Sequence, residues 1–76
     1  MIVVREDSIP DKRIVDVLGA IEANSGALAV NTVKSARKRL EKQAENMGAN
    51  AIINYKIKKE IMGLGALATG TAVVVE

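Results

Sequence analysis

The stretch from Leu64 to Val75 carries no charged side chain and, read as a strand, places apolar residues on both of its faces. Hiding both faces of a strand takes cover on two sides of the sheet. Along Ala66-Leu67-Ala68-Thr69-Gly70-Thr71-Ala72-Val73-Val74-Val75 only Thr69 and Thr71 are polar, and both fall on one side. A lone subunit built around such a strand would expose an apolar patch and a sheet edge, each a route to association. Closed, symmetric assembly removes both, so the expectation is a subunit that packs on copies of itself. The rival reading is a strand buried on both faces within one subunit.

Size sharpens that expectation. The 76 residues are read as a single domain, 1–76, and at this length folding hides only about 60% of the unfolded surface. Disulfides, a metal or oligomerisation usually make up the deficit. With no Cys and no His, disulfides and the common transition-metal ligands are both missing, which leaves oligomerisation. The core has to come from Val, Ile, Leu and Ala, because Tyr55 is the only aromatic. Eleven Lys and Arg against nine Asp and Glu leave a net charge of +2, short of the basic field of a dedicated nucleic-acid binder. Nucleic acid is therefore not an expected partner. Charge arrives at Arg5 after a brief apolar run, unlike a secretory signal, and no run reaches membrane-spanning length. The expected location is the cytoplasm, and lack of Cys fits its reducing conditions.

The periodicities predict β-β-α-β-β. Ile2 to Arg5 is a short strand, closed by Asp7-Ser8-Ile9-Pro10, where Pro, Ser and Asp mark a turn. A second strand runs from Arg13 to about Ala23, with Val15, Val17 and Ile21 on one face and a bend expected at Gly19. Val33, Ala36, Leu40, Ala44 and Met47 recur at helical spacing and predict a helix with one buried stripe, ended by Gly48. Two starts are open. Asn31 or Thr32 as N-cap puts Lys34, Arg37 and Lys38 in the first two turns, against the helix dipole. A cap at Ser25 would carry the helix through Ala27-Leu28-Ala29-Val30. The later start is favoured, since Val30-Asn31-Thr32-Val33 is poor helix material. Ile53, Tyr55 and Ile57 alternating with Asn54, Lys56 and Lys58 predict the third strand over Asn50 to Lys59, and the last runs from about Ala66 to Val75. The fold class is α+β, an antiparallel sheet with one helix on one face.

No pattern of residues names a reaction. Without His or Cys the common acid-base and nucleophilic arrangements are missing, and the chain is read as not an enzyme. Gly63-x-Gly65 is too short for a phosphate loop, and Glu6, Asp7 and Asp11 lack calcium-loop spacing and read as a solvated turn. Soft-metal ligation would fall to Met1, Met47 and Met62. Met47 belongs to the helix stripe and is expected in the core, while Met62 or Glu60 would converge only on the axis of a ring. Lys34, Arg37, Lys38 and Arg39 with Lys56, Lys58 and Lys59 read mainly as solvated surface. Lys56, Lys58, Lys59 and Arg37 are the residues chosen to hold an anionic ligand. Metal ligands and cofactors stay unassigned.

Ile2-Val3-Val4, Asp7-Ser8-Ile9-Pro10, Ile14-Val15-Asp16-Val17-Leu18-Gly19, Met47-Gly48-Ala49-Asn50-Ala51 and Gly70-Thr71-Ala72-Val73-Val74-Val75 together resemble the YbjQ family over nearly the whole chain. These small prokaryotic proteins are labelled heavy-metal-binding and include the selenium-binding protein of methanogenic archaea. The resemblance implies a dodecin-like subunit and a ring-shaped homopentamer. The segment from Asn24 to Thr32 is shorter than in longer family members, and the missing Cys rules out thiolate chemistry here. The function expected is binding or sequestration of selenium, another oxyanion or a heavy metal. The alternative is a structural or regulatory interaction module without a small ligand.

Overall fold

Asn31 sets the start of the helix. Its extended backbone (φ −122°, ψ 98°) lets the side-chain oxygen accept from the Lys34 N–H at 3.0 Å, satisfying one of the free donors of the first turn. The later of the two predicted starts is therefore the one the chain takes, while residues 27–30 of the longer alternative lie outside the residues described. The structure, a computed structural model, describes residues 1–26, 31–59 and 65–76. The elements are β1 (Ile2–Val3), β2 (Ile14–Asn24), α1 (Thr32–Asn46), β3 (Ala51–Lys59) and β4 (Ala66–Val75), in the order expected. At the other end of α1, Gly48 adopts φ 92°. The Gly48 and Ala49 N–H groups donate back to the Glu45 and Ala44 carbonyls at 2.9 Å each. That pairing is a Schellman cap, and its left-handed position is the one glycine takes without strain.

The sheet order is β1-β3-β4-β2. β4 pairs antiparallel with both β2 and β3, but β1 lies parallel to β3, with Ile2 opposite Ala51 and Val3 opposite Ile52. The antiparallel expectation is thereby corrected to a mixed sheet. A short apolar run such as Ile2-Val3-Val4 carries no direction, and β1 meets β3 only after β2 and α1 have intervened in the chain.

Bulges decide which side chains share a face. β2 slips register between Ile14 and Asp16 and again between Val17 and Gly19, the second slip being the irregularity expected at Gly19. Each slip adds a residue on one strand. Val15 and Val17 are left 47% and 60% exposed while Ile21 is buried, so these three do not form one buried face as strict alternation predicts. β3 slips between Ile53 and Lys56, where Asn54 takes φ 54°. As a result Ile53 goes to one side of the sheet and Tyr55 to the other.

The core has two parts. On the helix side, Ala36, Leu40 and Ala44 of α1 pack with Ile21, Ile52, Tyr55, Ala68 and Ala72. On the opposite side, Ile9 covers Ala51, Ile53, Val73 and Val75. Ile9 reaches them through a turn in which the Lys12 N–H donates to the Ile9 carbonyl at 3.1 Å and Asp11 takes φ 62°, the type II form that Pro10 at the preceding position favours. The valine end of β4 is thus covered by the chain's own N-terminal segment, which corrects the expectation of a bare apolar face along the whole strand.

Candidate functional site

Tyr55 brings two arginines to one ring. The bulge at Asn54 turns its ring to the helix side, where it is 5% exposed. Its N–H donates to the Val4 carbonyl at 3.0 Å, which lashes the chain after β1 alongside β3 and brings Arg5 to the ring. The Arg5 guanidinium lies 5.5 Å from the ring centre and that of Arg37, from α1, 5.7 Å, both within cation–π range. Arg37 Nε also lies 4.0 Å from Glu41 Oε2 one turn on, an exposed and weak pairing. Among the described residues Arg5 has no carboxylate partner. Two cations therefore gather on one ring, and among the described residues only Arg37 has a carboxylate within pairing distance.

The chosen anion-holding residues do not converge. Arg37 belongs to the Tyr55 site. Lys56 and Lys58, opposite Thr69 and Leu67, stand on the other face of the sheet. Lys59 pairs with Ala66 and returns to the helix side at the strand end. Lys56 lines a shallow concavity of about 410 Å³ with Glu22, Asn54, Thr69 and Thr71. Arg5 was missed by sequence reasoning because only the parallel pairing of β1 and β3 puts it beside Tyr55. In the sequence Asn54 alternates as an ordinary strand position and Thr69 and Thr71 stand out only as the polar residues of the last strand, so nothing local joins them in one concavity.

The donor set does not suit a soft metal. Among the described residues no three Asp or Glu side chains group as they would around a cation, and the chain has no Cys or His. Met1 and Met47 are each 42% exposed. That corrects the placing of Met47 in the core: the stripe runs off the end of α1, and its side chain reaches towards Gly19 of β2 while staying exposed. Met62 and Glu60, the candidates for a ring axis, lie outside the described residues.

Residues 27–76 match the model of the YbjQ family, described as "Putative heavy-metal-binding". This chain belongs to that family. It is also 40% identical over 52 residues to a UPF0145 protein of Listeria ivanovii, a match covering 62% of this chain and 47% of the relative. The chain thus spans about half the length of that curated relative. The fold is similar to the crystal structure of a protein of unknown function, from the DUF74 family, of Pediococcus pentosaceus. The TM-score is 0.60 at 19% identity, over 100% of this chain and 98% of the other. Among the described residues no helix is long and apolar enough to cross a membrane.

Proposed function

We propose that this YbjQ-family chain is a subunit of a homo-oligomeric binding protein, a ring of five, that takes up a small oxyanion such as selenite or phosphate between Arg5 and Arg37. The observation that carries this is the pair of guanidiniums on the Tyr55 ring. Each guanidinium offers a planar fork of donors to an oxyanion, and an anion taken up between them would offset both charges. The ring anchors both arginines and excludes water from one side of each. The family description speaks of heavy metals, but a chain without thiolate or imidazole suits the oxygen-bearing anion better than the soft cation. Assembly is supported by β2, an 11-residue edge strand on which Val15 and Val17 stay exposed. A second copy would cover them.

Calorimetric titration with selenite and, separately, phosphate tests the site. Arg37→Ala and Arg5→Ala should each weaken binding by about tenfold or more, the value of one charge-assisted hydrogen bond. Lys58→Ala and Lys59→Ala should change little. Unaltered affinity in Arg37→Ala removes the site. Native mass spectrometry should give a pentamer. A monomer sinks the assembly reading, and a pentamer that binds neither anion leaves the interaction module.

A further inference from the structure

We infer that the open face of the sheet carries a separate site for a small zwitterion, a free α-amino acid, held between Glu22 and Lys56. Glu22 is the register partner of Thr69, and Thr69 is the register partner of Lys56. The three stand in one row across β2, β4 and β3, with the threonine in the middle. The outer two are separated by two strand spacings, roughly 10 Å between backbones, and their side chains rise from the sheet on either side of the threonine hydroxyl. The ion pairs formed among the described residues are Arg13 with Glu76 and Arg37 with Glu41. Glu22 and Lys56 therefore oppose each other across the gap without touching.

That gap is the concavity of about 410 Å³, within the size range of small-molecule pockets. Its remaining polar groups fit the same ligand class. Thr69 and Thr71 offer hydroxyls that both donate and accept, and Asn54 offers an amide that does the same. Asn54 lines the concavity from a β-bulge at φ 54°. Bulges of this kind re-aim a side chain beside a site, and asparagine is one of the few residues that tolerate a left-handed backbone.

Charge selects the ligand. A plain anion drawn to Lys56 meets the Glu22 carboxylate on the facing strand, and a plain cation drawn to Glu22 meets the Lys56 ammonium. A molecule with an ammonium at one end and a carboxylate at the other satisfies both walls, and its carboxylate can also accept from the threonine hydroxyls. This site shares no residue with the Arg5–Tyr55–Arg37 cluster, which lies on the other side of the sheet, and does not rest on the oxyanion reading.

Glycine is the probe, because it carries the two charges and little else, so side-chain fit cannot mask the result. Titrated into the isotope-labelled full chain at neutral pH, it should shift amides at Glu22, Asn54, Lys56, Thr69 and Thr71. Acetate and methylammonium, each with one of the charges, should bind at least about tenfold more weakly, as should glycine to Glu22→Gln or Lys56→Gln. Both positions are exposed, so the variants should fold, which circular dichroism checks. The double exchange Glu22→Lys with Lys56→Glu should restore most of the affinity, and Arg37→Ala should leave glycine binding unchanged. Absence of shifts in the concavity, acetate binding as tightly as glycine, or full affinity in Glu22→Gln would each overturn the proposal.

Discussion

The two ends of β4 face opposite circumstances on the side of the sheet away from the helix. At Val73 and Val75 the N-terminal segment folds back and seals the face with Ile9. At Thr69 and Thr71 the face stays half-open, ringed by Glu22, Asn54 and Lys56. The difference shows that a strand apolar on both sides does not need a partner subunit along its whole length. The N-terminal segment, with Ile9 at its Pro10 turn flanked by Val4 and Ile14, covers half of it. The half left open is the one that carries polar groups, and an open polar face can receive a ligand.

That contrast can be broken or sharpened by substitution. Leu40→Ala empties the centre of the helix-side core, where Leu40 is 0% exposed. It should cost about 3–5 kcal/mol in urea unfolding and sets the scale for a fully covered face. Ile9→Ala should cost about 2–4 kcal/mol if the N-terminal segment truly seals the valine end; a loss under about 0.5 kcal/mol would make that cover superficial. Gly70→Ala tests the other side of the threonine end. A Cβ there would sit 2.6 Å from Ile52 Cγ2 and 3.2 Å from the Ile53 carbonyl oxygen, so about 1–3 kcal/mol should be lost by overpacking.

Smaller effects follow. Asn50 donates to the Val75 carbonyl and accepts from the Val75 N–H, both at 2.8 Å, replacing a ladder rung that β3 does not supply. Asn50→Ala should cost about 1–2 kcal/mol and fray the valine end first, visible as faster amide exchange at Val75. Thr69→Val should alter thermal stability least, within about 0.5 kcal/mol. A large loss there would mean that the open half is held by a network stronger than its exposure implies.

Much of the fold was legible in the chain. The helix period from Val33 to Ala44 and the Gly48 stop are local signals, and the Schellman cap realises them with bonds between neighbours. The glycine in β2 announced its bulge. The bulge at Asn54 had no such signal, because asparagine in a strand reads as an ordinary exposed position. That one slip reversed the face of Ile53 relative to Tyr55, and alternation beyond it put Lys56 and Lys59 on opposite faces of the sheet. Of the candidate sites, the sequence therefore showed that basic residues were plentiful but not which would meet. Arg5 and Tyr55 are 50 positions apart, and only the parallel pairing of β1 with β3 joins them.

The sequence alone determined the order of elements, the aliphatic core, the likeness to the YbjQ family and the lack of thiolate and imidazole donors, because each depends on residue identity or on spacing within a few turns. Tertiary structure decided the direction of β1, the cover of the valine end by Ile9, and the assembly of Arg5 with Arg37 and of Glu22 with Lys56. These depend on strand partners distant in the chain and on bulges that flip every side chain beyond them. No local pattern encodes either.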